Sequence, residues 1–448
     1  MEQSILETSE LLRKGSVSPL ELTKDCLERI TQLNTNLNAF ITVTAELALQ
    51  QARQAESEIQ GGNWRGPLHG IPLALKDVID IAGIRSTAAS ALFKDLIPKQ
   101  DADVVSSLKN AGAVILGKQN LHEFAYGGSS LISYYGEMKN ARNPEHITGG
   151  SSGGSATAVA AGMCYGAIGT DTAGSIREPA ALCGVVGLKP SYGRISTKGV
   201  IPLSVSLDHV GPIARSVADC AVILQAIADG RPNGIVETYI QIINQAPKSP
   251  RIGVPRTFFY ESLDSEVASA VENALGVLKT TASDIRDVEL SIPTDRTLQK
   301  AESYAYHAEF VKRSPELYQP ETLRRIRTGE DIGPAELENA KKDLMQARRE
   351  IALIFEQIDV LVTPTTPILA PRISELKQNP DLLRPRELDL LRNTRPFNVW
   401  GIPAISVPCG VTQAGLPIGL QIAGPHWRED LVLGLAHWYE QNAGPILS

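Results

Sequence analysis

Two stretches of small residues carry hydroxyl groups in settings suited to chemistry. The first, "GGSSGGS" at 149–155, contains Ser151 and Ser152, and the second, "GTDTAGS" at 169–175, ends on Ser175. Small neighbours leave the backbone open to a substrate. Successive N–H groups in such a turn can also stabilise an oxyanion, which is often the largest catalytic contribution in acyl transfer. A serine-based acyl-transfer site is therefore one hypothesis for this chain.

Other interpretations of the first stretch fit less well. A flexible linker would not be followed by "ATAVAAGM", which is rich in helix formers. A phosphate loop or an α/β-hydrolase nucleophile elbow needs a strand before the glycines, whereas the preceding "ARNPEHIT" is polar and contains proline. His122 and Glu123 begin a metal-binding pattern, but Tyr126 stands where the second histidine belongs. No metal site is predicted.

The second stretch offers backbone donors flanked by opposite charges. The N–H groups of Thr172, Ala173 and Gly174, together with that of Ser175, are the candidate oxyanion donors. Asp171 and Arg177 lie on either side of this turn, and their charges predict an ion pair that holds it in place.

A reactive serine needs a base, and none of the seven histidines is singled out by its surroundings. Lys76 follows the apolar run "IPLAL", so its stem enters a setting in which burial can lower a lysine pKa from about 10.4 by several units. A neutral Lys76 amine could accept a proton through Ser151 and activate Ser175. The structural alternative is that Lys76 extends to solvent or pairs with Asp77 or Asp80.

Composition argues against several function classes. The net charge is −7 and no cluster of Lys and Arg stands out, which argues against a nucleic-acid partner. No apolar run approaches the ~20 residues that span a bilayer, so no membrane association is predicted. The five cysteines are scattered and odd in number, so neither a disulfide framework nor a thiolate zinc site is expected. With no signal peptide at the N-terminus, these features predict a cytoplasmic protein.

The elements that must position these residues alternate between helix and strand. Ser18 and Glu21 form a capping box with Pro19 at the first helical position, and Asp103 is predicted to cap "VVSSLKNA", which a strand "AVILG" follows. The helix–strand order recurs twice later in the chain. Two strand-like runs and a final helix then end the sequence. The pattern predicts one layered α/β domain with a mixed, largely parallel sheet.

Taken together, these stretches resemble the amidase signature family, whose members cleave amide and related C–N bonds. The resemblance extends over most of the chain, with its motifs in the family's order. They are "GPLHGIPLALKD" (66–77), "GAVILGKQNLHEFA" (112–125), "NPEHITGGSSGGSATAVAAG" (143–162), "GTDTAGSIREPAALCGVVGLKPSYGRIS" (169–196), "SLDHVGPIARSVAD" (206–219), "DVLVTPTTP" (359–367) and "GIPAISVPCG...GLPIGLQIAG" (401–424).

The resemblance implies a Ser–cis-Ser–Lys triad. Ser175 would be the nucleophile, Ser151 the bridging serine in a cis peptide, and Lys76 the terminal base, with Ser152 as a supporting neighbour. One departure is Ala173, which stands where many members have glycine. Its methyl group could narrow the oxyanion turn.

The resemblance also implies the architecture. We expect a single α/β/α sandwich over residues 1–448, a signature core at about 66–220 and a helical excursion at about 230–355. No cofactor is expected.

The substrate is constrained less than the reaction. Tyr126, Gly127, Gly128 and Ser129 are predicted substrate contacts, and Phe397 and Trp400 either line an apolar pocket or belong to the core. These aromatic residues favour aryl or acyl amides as the small-molecule partner of a monomer or homodimer. The alternatives are a carbamate or ester hydrolase, the glutaminase-type subunit of a tRNA-dependent amidotransferase, and a binding protein without activity.

Overall fold

Eleven strands form one sheet that runs through the molecule. The fold was obtained as a computed structural model describing residues 3–228, 238–245, 249–444 and 446. Most of the loop-rich stretch noted at 230–249 lies outside these residues. The strands are β1 (Phe40–Val43), β2 (Pro72–Lys76), β3 (Val114–Gln119), β4 (Gly166–Asp171), β5 (Val186–Lys189), β6 (His209–Ala214), β7 (Arg251–Val254), β8 (Asp284–Asp287), β9 (Val360–Pro364), β10 (Ala404–Val411) and β11 (Pro417–Ala423).

The sheet is mixed, with strand order β1-β3-β2-β4-β6-β5-β10-β11-β9-β7-β8. Parallel pairing joins β2 to β3 and β4, and β7 to β8 and β9. The six other pairings in the described chain are antiparallel, so parallel pairing is less prevalent than the sequence indicated. Every residue of β2, β3, β4, β6, β9 and β11 is buried, which requires cover on both faces.

Helices supply that cover. In chain order they are α1 (Ile5–Arg13), α2 (Pro19–Leu37), α3 (Ala45–Gln60), α4 (Asp103–Asn110), α5 (Gly153–Ala160), α6 (Arg177–Cys183), α7 (Val217–Ile227), α8 (Tyr239–Ile243), α9 (Arg256–Phe259), α10 (Ser265–Leu278), α11 (Thr297–Arg313), α12 (Pro320–Arg327), α13 (Pro334–Ile354), α14 (Ile373–Gln378), α15 (Leu383–Leu390), α16 (Pro396–Trp400) and α17 (Glu429–Asn442).

Local sequence signals account for several helix starts. Helix α2 begins with the predicted capping box: the Ser18 hydroxyl accepts from the backbone N–H of Glu21, whose carboxylate accepts from the N–H of Ser18. Asp103 was expected to cap α4 but is its first helical residue. Ala102 holds the cap position, and the Asp103 carboxylate instead accepts from the Ser196 hydroxyl at 2.7 Å.

The segment predicted as a helical excursion also builds the sheet. Its described part contains α8 to α13 together with β7 and β8, which form one edge. The sheet therefore extends well beyond the signature core.

The parallel pairing of β2 with β4 creates the place where polar groups converge. Leu73 is aligned with Gly166 and Leu75 with Ile168, so the carboxyl ends of the two strands lie side by side. Lys76 ends β2 and Asp171 ends β4. Neighbouring parallel strands thus bring together residues almost a hundred positions apart.

Three features of the described residues bear on function class. None of their helices combines the length and apolarity required to cross a bilayer. They contain no group of three or more His, Cys, Asp or Glu side chains placed to hold a metal ion. All five cysteines are buried free thiols.

Candidate functional site

Lys76 is completely buried at the end of β2. Its Nζ donates to Ser151 Oγ at 2.7 Å and to Thr170 Oγ1 at 2.8 Å, and it lies 3.4 Å from the Thr170 carbonyl oxygen. The structural alternative of pairing with Asp77 is not found, because Asp77 forms a buried ion pair with Lys118 at 2.8 Å. Among the described residues, Lys76 thus has hydroxyl and carbonyl partners and no carboxylate in direct contact.

The surroundings of Lys76 favour its neutral form. Burial lowers the pKa of its ammonium group from the usual 10.5 to about 7, against the opposing effect of the Asp171 and Asp208 carboxylates. Burial in turn raises the pKa of Asp208 to about 6, although hydrogen bonds from Thr172, Leu203 and Ser204 oppose that rise. Near neutral pH a large fraction of Lys76 can therefore accept a proton.

The two serine stretches meet beside Lys76. The Gly150–Ser151 peptide bond is cis, the form that the family resemblance implied. The N–H of Ser152 donates to the carbonyl of Ser175 at 3.2 Å, and the Ser152 hydroxyl donates to the Thr170 carbonyl at 3.1 Å. In the described chain, the hydroxyls of Ser151 and Ser175 are not hydrogen-bonded to each other. Lys76 and Ser151 are thus in contact, with Ser175 held next to them by the backbone.

Asp171 and Arg177 form the ion pair that the sequence predicted. Arg177 Nη2 lies 3.0 Å from Asp171 Oδ1 and Arg177 Nε lies 3.0 Å from Oδ2, with both side chains completely buried. Burial alone would raise the pKa of Asp171, but the guanidinium of Arg177 holds it well below its usual range. Arg177 also donates to Gln421 and Asn398 at 2.7 Å, which fastens the turn to β11 and α16.

This ion pair changes the set of available oxyanion donors. Asp171 Oδ1 accepts from the N–H of Gly174 at 2.7 Å, so that donor is already occupied. Gly174 has φ 137°, and a Cβ there would overlap the Thr394 hydroxyl, so glycine serves backbone geometry at this position. Of the four predicted donors, Thr172, Ala173 and Ser175 remain as candidates.

Replacing Asp171 with asparagine is expected to destabilise the fold strongly, because it leaves the Arg177 charge buried without a counterion. Removing one partner of a buried pair typically costs about 3–5 kcal/mol. The midpoint of urea unfolding, followed by tryptophan fluorescence, should fall accordingly. The matched control is Asp284→Asn, whose carboxylate pairs with Arg286 at a half-exposed site and should matter by less than about 1 kcal/mol. Equal midpoints for the two variants would contradict this role of Asp171.

A narrow cavity opens beside Ser175, which is only 5% exposed. Tyr126 and Gly127, two of the predicted substrate contacts, lie along it. Gly128 and Ser129 are not among its lining residues, since the Ser129 hydroxyl donates to Glu387 Oε1 at 2.7 Å. Ala173 also lines the cavity, so its methyl group bears directly on the space available to a substrate.

Phe397 and Trp400 belong to the core. They are 0% and 3% exposed, pack against Phe259 and do not reach the cavity. Phe397 also lies against the guanidinium of Arg177, 5.9 Å from its ring centre. The sequence-based argument for an aromatic substrate pocket therefore loses its two main residues.

The structure also brings residues to the site that the sequence did not single out. Thr170 contacts Lys76, and Asp208 accepts from the Thr172 hydroxyl at 2.6 Å. Both lie inside motifs that carried the family resemblance, so their position was the available signal. Arg296 and Arg384 line the cavity but lie in segments with no recognisable pattern, and only the folded chain identifies them.

Comparison with known proteins places the whole chain among amide-cleaving enzymes and their relatives. A family model described as Amidase matches residues 21–433. One subunit of the glutamyl-tRNA(Gln) amidotransferase from Lachnospira eligens is 36% identical over 481 residues, which cover 99% of each chain.

Solved structures agree with that placement. A 6-aminohexanoate cyclic dimer hydrolase in complex with substrate has a TM-score of 0.89 and 30% identity, covering 99% of this chain and 97% of the other. Native peptide amidase from Stenotrophomonas maltophilia has a TM-score of 0.83 and 31% identity, with 99% and 97% covered.

Proposed function

This chain belongs to the amidase family, and from that premise we propose that it hydrolyses small linear amides through an acyl-enzyme on Ser175. The observation that carries the proposal is the contact of 2.7 Å between Lys76 Nζ and Ser151 Oγ in a buried setting that lowers the pKa of the lysine to about 7. Such an amine can act as a general base near neutral pH.

The proposed reaction has two halves. Ser175 Oγ attacks the amide carbonyl carbon while its proton passes to Ser151 Oγ, whose own proton passes to Lys76 Nζ. The tetrahedral oxyanion is stabilised by the free N–H groups of Thr172, Ala173 and Ser175. Collapse of this intermediate breaks the C–N bond, and the amine leaves with the proton returned from Lys76 through Ser151. Water then attacks the acyl-enzyme by the same proton route and releases the acid.

The main alternative within the family is the glutaminase-type subunit of an amidotransferase. The 36% identity to one such protein over nearly the whole chain favours it. Glutamine, however, presents an ammonium group, and none of the described residues that line the cavity is Asp or Glu. We therefore prefer a free-standing amidase that is a monomer or homodimer. Carbamates and esters share the carbonyl chemistry, and the cytoplasmic location remains a prediction.

The test is a screen for amine or ammonia release from aryl amides, aliphatic amides, carbamates and glutamine. We expect hydrolysis of at least one linear amide by the chain alone and little or none of glutamine. Glutamine as the sole substrate, or activity only with a copurified partner, would support the amidotransferase alternative. A protein that neither turns over any substrate nor reacts with a fluorophosphonate would be the non-enzymatic binding protein.

A further inference from the structure

The cavity beside Ser175 has two walls of different character. One wall is the oxyanion turn, from which Thr172, Ala173 and Ser175 face the cavity. The opposite wall contains Arg296 and Arg384, with Gln299 between Arg296 and the rest of α11. Two guanidinium groups therefore lie within one narrow cavity with the proposed nucleophile, although the proposed amide chemistry does not itself require them.

Arg296 has no partner of its own. It occupies the position just before α11, and no hydrogen bond or ion pair engages its guanidinium group within the described part of the chain. Burial lowers the pKa of Arg296 to about 9, and the nearby charges of Arg395 and Arg384 act in the same direction. A buried charge is ordinarily paired, so an unpaired one that faces a cavity beside a reactive serine points to an anionic ligand.

The neighbouring carboxylates do not balance the positive charge. Glu387 Oε2 lies 2.8 Å from Arg325 Nη1 and 3.3 Å from Arg384 Nη1, so a single carboxylate serves two guanidinium groups. Within the described ranges, Arg395 donates to the backbone carbonyls of Pro293 and Asp295 and to no carboxylate. The region around the cavity thus keeps a surplus of positive charge.

We propose that Arg296 and Arg384 form a carboxylate subsite, and that the substrate is the half-amide of a small dicarboxylic acid. This inference rests on the proposed function, because it requires the amide carbonyl to lie at Ser175 while the carboxylate reaches the arginines. Guanidinium groups bind carboxylates with paired, charge-assisted hydrogen bonds. The side-chain oxygen of Gln299, which is buried without a hydrogen-bond partner among the described residues, is a suitable acceptor for the amide N–H.

The same wall discriminates against amino acid amides. An α-ammonium group would lie among guanidinium charges with no carboxylate on the cavity surface that the structure describes. Like charges in a site of low dielectric repel strongly. Glutaramate, which is glutamine without its amino group, should therefore bind where glutamine does not.

The test measures binding apart from turnover. Calorimetric titration of the Ser175→Ala protein with malonamate, succinamate and glutaramate is compared with titration by the matching neutral diamides. We expect at least one half-amide to bind about tenfold or more tightly than its diamide, and glutamine to bind more weakly than glutaramate. Arg296→Met and Arg384→Gln, each added to Ser175→Ala, should remove that preference. Arg386→Met, on the outer part of α15, should keep it.

Two results would overturn the subsite. One is equal affinity for half-amides and diamides, or no measurable binding of any half-amide. The other is an unchanged preference in Arg296→Met, which has no partner among the described residues to lose and so should fold normally. In the enzyme with Ser175 intact, Arg296→Met should raise KM for the half-amide by a much larger factor than KM for a neutral amide. Failure of the proposed function is distinct, because it would abolish turnover of every amide and leave these affinities intact.

Discussion

Replacing Ser175 with alanine is expected to lower amide hydrolysis by about 10⁴-fold or more, because the substitution removes the atom that forms the acyl-enzyme bond. The effect should be confined to catalysis, since the Ser175 side chain makes no hydrogen bond in the described structure and its carbonyl contact with Ser152 belongs to the backbone. The measurement is amine release under saturating substrate, together with covalent labelling by a fluorophosphonate.

The chain offers a matched control for this variant. Ser155 lies in α5, is fully buried, and its hydroxyl has no hydrogen-bond partner among the described residues. Ser155→Ala should therefore keep turnover and labelling close to those of the parent protein. If Ser175→Ala retained activity within tenfold of the parent, or if the label mapped to another serine, Ser175 would not be the nucleophile.

The central part of the site could be predicted because it depends on short motifs at strand ends. Lys76 closes an apolar run that becomes β2, and Asp171 closes another that becomes β4. Once these strands are parallel neighbours, their carboxyl ends meet without further information. The ion pair of Asp171 with Arg177 followed from a separation of only six residues. Local sequence determines such features, and they were the ones interpreted correctly.

Features that depend on distant packing could not be predicted in the same way. Phe397 and Trp400 look like pocket aromatics in sequence, but contact with Phe259 places them in the core. The occupied N–H of Gly174 depends on which way the Asp171 carboxylate turns. Arg296 and Arg384 reach the cavity from α11 and α15, whose sequences carry no sign of it. The wall that would select the substrate is therefore visible only in the folded chain.

Replacing Lys76 with methionine is expected to lower kcat/KM by about 10²–10⁴-fold, the usual contribution of a general base. Methionine has a similar length and suits the buried site, so the fold should tolerate it. Lys76→Arg should be no more active than Lys76→Met, because a guanidinium group does not give up its proton in this pH range. Activity in Lys76→Arg close to that of the parent would show that only a positive charge is needed.

The pH profile tests the protonation state of Lys76 directly. Because burial lowers the pKa of Lys76 to about 7, the active neutral amine is scarce below that pH and predominates above it. In the parent enzyme kcat/KM should therefore rise with pH, reach half of its maximum near pH 7, and level off about one unit higher. An unperturbed lysine would instead give a rise near pH 10.4. In Lys76→Met the step near pH 7 should disappear, whereas a step that survives the substitution would belong to another group and would remove Lys76 from the proton route.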